Sequence, residues 1–407
     1  MLPDKVRTLE VDIAGQHGGQ LVRDSQYVFT YRRDDPAQSS VGLLMPSTRL
    51  AYQDTALFPV MDQNLPEGYL YQRIRAEFPK RALTPMHLLA LMGSNGIGRL
   101  GFRLPEAPPA QQPRVIDRAQ ILAAPAGAQL FEDLVHAYLS TGAGLAGIQP
   151  KIMVPDRATW PVPNLIVKMG SDAYPGIAAN EFLCLSAARR AGIEVPGFEL
   201  SHSGELLVLE RFDVLEDGRR LGFEDIAALM GLQVHGIHDG ERKYVRSYQA
   251  VAEVLNAINL PRSDLARFYE QVALTVMVRN GDGHLKNYGV LYDEAVGARL
   301  APMFDVVTTS IYKYSHSFNG PPQEDHTLAL KFFRGHHASK AYPTTQELLR
   351  FGTDVCGVRK PGDVVQRIAQ AMHETLVLAK QDERIPHDTL EKMGEAWRHG
   401  LAYAAAP

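Results

Sequence analysis

Cysteine is nearly missing. Cys184 and Cys356 stand alone, 172 positions apart, so neither a disulfide framework nor a zinc ribbon organises this chain. No window approaches the roughly 18 apolar residues that a spanning helix needs, and no membrane is expected among the partners. The opening stretch MLPDKVRTLEVDIAG carries acids where a signal peptide keeps an apolar run, which makes the reducing cytoplasm the expected location. An excess of charge is missing too: 42 Lys and Arg stand against 46 Asp and Glu, a net charge of −4. That balance excludes a positive coat for nucleic acid or lipid. No internal repeat is found. What is present is 407 residues at 45% apolar content, more than one hydrophobic core usually organises, so two or more units are expected.

The first residues read as strands at Val11 to Gly15, Gln20 to Arg23 and Tyr27 to Tyr31, separated by turn-forming Gly, Asp and Ser. Over 66–93 the period changes: Leu70, Ile74, Phe78 and Leu88 to Met92 recur at helical spacing, interrupted by Pro79 and Pro85, which predicts two short helices. Five prolines among Ala and Gln over 104–127 predict a linker or surface excursion, and the domain boundary is placed there. Beyond it the pattern predicts a helix at 130–140, strands at 150–154 and 164–168, a helix at 178–191 and the strand Leu206 to Glu210. From about 246 helices dominate, broken by a hairpin-like stretch at 287–304.

Three segments carry chemistry. Gly142-Ala-Gly144-Leu-Ala-Gly147 is a literal GxGxxG, whose glycines let backbone N–H groups approach phosphate oxygens. The order here is helix, glycines, then the strand KIMV, which opposes a dinucleotide fold. It suits a glycine flap over ATP phosphates, and equally an ordinary flexible turn. Lys168 closes the run Asn164 to Lys168, 21 residues after Gly147, and Glu181 follows on an amphipathic segment. A strand lysine on the phosphates, oriented by a helix glutamate, is one reading; a solvated strand end and a surface acid is the other.

The third segment is the most informative. Asn280-Gly-Asp282-Gly-His284-Leu-Lys286-Asn287 leads, 18 residues after Asn287, to Phe304-Asp305. Phosphoryl transfer needs a carboxylate for the hydroxyl proton and oxygen ligands for Mg²⁺, and an Asp-x-x-x-x-Asn loop with a returning Asp supplies both. An Asx-rich turn joined to a hairpin is the bland alternative. Glu210-Arg-Phe212-Asp213 ends a strand and reads either as the hinge whose backbone meets adenine or as a strand leaving its core. His235, His238, His316, His326, His336 and His337 form no metal-ligating pair with a companion acid and read as surface or loop histidines. Glu241-Arg-Lys-Tyr244 reads as a solvated loop, with a bearing on a protein substrate as the other possibility.

Taken in order, these residues resemble the HipA family of serine/threonine kinases, the toxin components of HipBA-type toxin–antitoxin modules. Asn64-Leu-Pro-Glu-Gly68 and Leu88-Leu-Ala-Leu-Met-Gly93 are similar to the family's N-terminal domain, and Ala146-Gly147-Ile148-Gln149-Pro150-Lys151 to its phosphate loop. Asn180-Glu181, Glu210-Arg-Phe-Asp213, Asp282 to Asn287 and Phe304-Asp305 follow in the family's order. The resemblance implies an α+β, protein-kinase-like (HipA-like) fold. Residues 1–128 would be an N-terminal mixed α/β domain ending in the proline-rich linker, and 129–407 the kinase domain. Its nucleotide-binding part would span about 129–245, and a mostly helical lobe with the catalytic loop about 246–407.

Carried over residue by residue, the resemblance makes Asp282 the catalytic base, with His284 and Lys286 supporting the loop. Asn287 and Asp305 would hold Mg²⁺. Lys168 would bind the ATP phosphates, Ala146 to Lys151 would line them, and Glu210, Arg211 and Phe212 would meet adenine, with His284 also bordering the nucleotide. One departure stands out: the family begins its phosphate loop with a serine whose autophosphorylation switches the enzyme off, and here that position is Gly144. The usual off-switch would then be silenced, or regulation would lie elsewhere, for instance at Thr141 or wholly in the partner. The implied partners are a HipB-like helix-turn-helix antitoxin, DNA mainly through that antitoxin, and a protein substrate such as glutamyl-tRNA synthetase or another synthetase. A small-molecule phosphotransferase and a catalytically silent antitoxin-binding module are the competing readings.

Overall fold

The computed structural model describes residues 2–32, 38–106, 115–124, 130, 151–156, 163–170, 173–235, 241–314, 323–324, 326–335 and 338–405. The chain divides into two compact units. One comprises Met1–Met169, Val208–Arg242 and Gly289–Ala298, the other Gly170–Leu207, Lys243–Tyr288 and Arg299–Pro407.

The first unit opens with a five-stranded antiparallel sheet of β1 (Thr8–Ile13), β2 (Gln16–Arg23), β3 (Tyr27–Tyr31), β4 (Ala51–Asp54) and β5 (Leu100–Arg103), in the order β4-β3-β2-β1-β5. Strict alternation makes β1: Leu9, Val11 and Ile13 are buried while Thr8, Glu10 and Asp12 are not, one face per parity. The three expected strands are present, with β1 and β2 starting earlier than the pattern indicated. Two edge strands, β4 and β5, escaped the reading because four residues with few apolar side chains carry little periodicity. Helices α1 (Gly68–Glu77) and α2 (Pro85–Met92) are the expected pair. Pro85 starts α2 at a position where no N–H is needed.

The expected linker is not featureless. Within it α3 (Arg118–Ala123) is capped by the Asp117 carboxylate, which accepts the Ala119 N–H at 2.9 Å, and it buries Ile121. The helix expected at 130–140 and the glycine motif at 142–147 lie outside the described residues. β6 (Lys151–Val154) and β7 (Leu165–Met169) pair antiparallel, and β9 (Leu206–Glu210) follows on β7. A further strand pair joins β10 (Gly222–Asp225) to β11 (Gly289–Asp293), which turns into β12 (Gly297–Leu300).

Glu224 on β10 is buried, and its Oε1 accepts the Leu43 N–H at 2.6 Å. Desolvation pushes its carboxyl from 4.5 up to about 7. The native chain therefore holds this proton over a window in which the unfolded chain has lost it. Stability from this group is complete below about pH 4.5 and is lost as pH rises through 7, by about 3 kcal/mol at most. Glu224→Gln, which keeps an oxygen for Leu43, is expected to flatten that slope. Urea midpoints at pH 5 and pH 8 measure it.

In the second unit the core is helical. α4 (Ile177–Arg190), α6 (Arg262–Met277), α7 (Pro361–Ala379) and α8 (His387–Ala405) pack together, with α5 (Tyr248–Ala257) against α6. Gly400 lets α8 lie directly on the C-terminus of α6: a Cβ there would collide with the Met277 carbonyl oxygen. A short hairpin of β8 (Phe198–Leu200) and the start of β9 is closed by the Ser201 N–H to the Leu206 oxygen at 2.8 Å.

Candidate active site

α6 ends at Met277, and Arg279 takes the left-handed conformation, φ 61°. The Asn280 N–H then returns to the Thr275 oxygen at 2.9 Å, which turns the chain sharply out of the helix. The Asn280 side-chain oxygen accepts the Asp282 N–H at 3.0 Å, and the Gly281 N–H donates to Thr309 Oγ1 at 2.6 Å. From below, the Tyr248 hydroxyl donates to the Gly283 oxygen at 2.9 Å. A side chain at 283 would press on Thr275, Tyr248 and Tyr288, so glycine is required by close approach. The Tyr248 and Tyr288 hydroxyls are buried, and desolvation pushes both phenols up. The loop is thus fixed before any substrate arrives.

The loop continues as a one-turn 3-10 segment, Leu285–Asn287, begun by buried His284. The His284 N–H donates to the Asp282 oxygen at 2.7 Å and the Asn287 N–H to the His284 oxygen at 2.9 Å. Asn287 Nδ2 donates to the Asp305 backbone oxygen at 3.1 Å, which ties the loop to the returning aspartate 18 positions on. Asp305 has φ 55°, an uncommon conformation for a residue with a Cβ, of the kind found where function dictates backbone placement. Lys286 lies half-buried beside Asn287.

Asn287 is 8% exposed, and its Oδ1 meets no hydrogen-bond partner among the described residues. A buried amide oxygen left unmade costs about 1–3 kcal/mol, unless a ligand takes it. Oxygen ligands from an amide and a carboxylate suit Mg²⁺, which keeps waters and phosphate oxygens for its remaining positions. The donor set Asn287 and Asp305 therefore fits that ion. No group of three or more His, Cys, Asp or Glu that could hold a metal ion occurs among the described residues, and a Mg²⁺ site completed by phosphates needs none.

Two features escaped sequence reading. Tyr244, expected in a solvated loop, closes the 3-10 turn Glu241–Tyr244 and donates its hydroxyl to Asp282 Oδ1 at 2.8 Å. The second is a clamp on the segment after Asp305. Asn180 on α4 accepts the Thr308 N–H at 2.8 Å and donates to the Thr308 oxygen at 3.0 Å, while Trp397 Nε1 donates to Thr308 Oγ1 at 2.8 Å. Thr308 is thereby held through its N–H, its carbonyl and its hydroxyl. No local signal announces a pairing between residues 128 positions apart.

In the first unit Lys151 and Lys168 stand directly opposite each other across β6 and β7, so both ammonium groups leave one face. Lys168 is 4% exposed, which removes the reading of a solvated strand end. Glu181, in the second unit, is fully buried and is not a surface acid. Glu210 is half exposed and pairs with Arg118 at 2.7 Å. The Phe212 ring lies 5.6 Å from that of Phe223. Arg211 is spent inside the fold: Nε and Nη2 donate to the Asp213 carboxylate at 3.0 and 2.6 Å, Nη2 also reaches the Gly96 oxygen at 2.9 Å, and Nη1 the Pro163 oxygen at 3.0 Å. Its side chain is unavailable to a nucleotide. Ala146, Gly147, Ile148, Gln149 and Pro150, with Thr141 and Gly144, lie outside the described residues. His326 is exposed beside Glu324, and His235 packs edge-on against Tyr71. His238, His316, His336 and His337 are outside the described residues.

The architecture is α+β of the protein-kinase-like class. Its likeness to the HipA of Shewanella oneidensis, solved with HipB and its operator DNA, covers 97% of this chain and 96% of that one at TM-score 0.67 and 18% identity. Residues 143–379 match the HipA-like C-terminal domain and residues 9–103 the HipA N-terminal domain. The chain belongs to the HipA family. Among curated relatives, Y4dM of Sinorhizobium fredii, named as a candidate kinase, is 29% identical over 36% of this chain and 38% of its own length. Y4mE of the same organism, named likewise, is 26% identical over 50% of this chain and 51% of its own. The chain thus spans from over a third to about half the length of these relatives. No helix among the described residues is long and apolar enough to cross a membrane.

Proposed function

We propose that this chain is an ATP- and Mg²⁺-dependent protein kinase acting on a serine or threonine hydroxyl, the toxin of a HipBA-type module. The buried Asn287 Oδ1 carries the reading, because an amide oxygen fixed by its own Nδ2 and left for a cation makes sense beside a phosphate. Asp282 accepts the hydroxyl proton as that oxygen bonds to the γ-phosphorus and ADP departs. Asn287 and Asp305 hold the metal, which when bound neutralises charge on the phosphates. Lys168 and Lys151 meet phosphate oxygens, and the Ala146–Pro150 loop lines them. His284 and Lys286 keep the Asp282 loop in shape, and the backbone of Glu210 to Phe212 borders the adenine.

A HipB-like antitoxin is the proposed partner, with DNA reached mainly through it. The solved HipA complex with HipB and operator DNA supports this, as does a net charge of −4, too little positive potential for an independent DNA binder. The proposed targets are aminoacyl-tRNA synthetases, glutamyl-tRNA synthetase first, in the cytoplasm. With Gly144 in place of a phosphorylatable serine, the switch resides at another hydroxyl or in the antitoxin. Incubation with γ-labelled ATP and a bacterial lysate tests the reading. One discrete labelled protein, lost on chelation by EDTA, is expected; label confined to small alcohols or sugars would make the chain a small-molecule phosphotransferase instead.

A further inference from the structure

In the second unit the Asp282 carboxylate already holds a hydroxyl. The Tyr244 phenol donates to Asp282 Oδ1 at 2.8 Å, the separation that a general base needs from the proton it removes. The ring is kept there by packing: it stands edge-on to His284 with centroids 5.2 Å apart, and the Lys243 and Lys340 ammonium groups lie 5.5 and 5.7 Å from its centre. Asp282 does not depend on this contact for its backbone position, since Asn280, Thr309 and Tyr248 already fix the loop. The contact engages the reactive carboxylate and comes from a separate element 38 positions earlier.

Resting on the kinase reading above, we infer that Tyr244 is an internal stand-in for the acceptor. Its hydroxyl takes, on Asp282, the place of the substrate hydroxyl, and it withdraws before transfer to another molecule. Acceptors, water included, therefore compete with Tyr244 for the base, and the Glu241–Tyr244 turn sets access to it. A residue that merely oriented Asp282 would be needed in place during transfer. The two roles predict opposite signs when the hydroxyl is removed.

The test uses the full chain as wild type, Tyr244→Phe, Asp282→Asn and the double variant, with melting temperatures as a check on folding. Steady-state ATP hydrolysis is measured with water as acceptor. Tyr244→Phe is expected to raise kcat by about tenfold, the scale of one hydrogen bond to a charged group, with KM for ATP unchanged and no rise in the double variant. Nitration by tetranitromethane, read by peptide mass, gives a second measure on one added chain, Asp282→Ala, which leaves no side-chain oxygen for the phenol: Tyr244 is expected to be protected in the wild type and modified in that variant. A lowered or unchanged kcat in Tyr244→Phe, or turnover absent from every chain, would overturn the inference. Full turnover in Asp282→Asn would instead overturn the kinase reading itself.

Discussion

Asp282→Asn is expected to lower phosphoryl transfer by about 10²–10⁴-fold, the usual contribution of a positioned general base. The substitution is nearly isosteric. An amide oxygen still accepts the Tyr244 hydroxyl, and the Asp282 backbone, held by Asn280 Oδ1 and by the His284 N–H, is untouched. What disappears is the carboxylate's negative charge, and with it the basicity that takes the proton. Because Asn287 and Asp305 are the proposed metal ligands, KM for ATP should move little, and the loss should fall on kcat, the signature of an interaction made only in the transition state. Asp282 is half exposed, so the melting temperature should hold. Steady-state kinetics with labelled ATP decide it: an undiminished kcat removes Asp282 from the role of base.

The second large effect is on stability. Arg211→Met is expected to destabilise the first unit by about 3–5 kcal/mol, the cost of leaving one member of a buried ion pair without the other. Both side chains are 0% exposed. The Asp213 carboxylate is held by two Arg211 N–H groups and by the Gly98 N–H at 2.6 Å. Without the guanidinium it keeps only the last, while the Gly96 and Pro163 oxygens lose their donors. At about 2–4 °C per kcal/mol for a unit of this size, the melting temperature should drop on the order of 10 °C. The double variant Arg211→Met/Asp213→Leu should recover part of this, since no charge is then stranded, but not all, because the Gly98 N–H stays unpaired. Calorimetry of the three chains measures it. Equal stability of single variant and wild type would mean that the pair is not desolvated.

The core of the candidate site was legible because it is contiguous. Asp282 and Asn287 are five positions apart, and the turn that presents them is written in Asn280, Gly281 and Gly283, residues whose backbone and side-chain chemistry makes tight turns. Asp305 was legible from the apolar stretch between it and Asn287. Tyr244 was not: a charged run followed by an aromatic looks solvated, and only the hydrogen bond from that turn to Asp282 shows otherwise. Arg211 was read as a hinge beside the nucleotide, yet its guanidinium is consumed by Asp213, two positions away in the same sequence. The pairing was visible in the letters, and its burial was not. Edge strands β4, β8 and β10, of four, three and four residues, fell below the length at which period-2 alternation separates from noise.

The sequence by itself determined what a short stretch of backbone decides: the alternation that builds β1, the helical face of α4 that predicts a helix at 178–191, the proline-started α2, and the tight Asp282-to-Asn287 loop. The tertiary structure alone decided which charges lose their water. Lys168, Glu181, Arg211 and Glu224 are ordinary polar letters in sequence, and each is buried in the folded chain. Periodicity is a local property of the chain, whereas desolvation is a property of everything that surrounds a group, and it is desolvation that turns a lysine, a glutamate or an asparagine oxygen into part of a site.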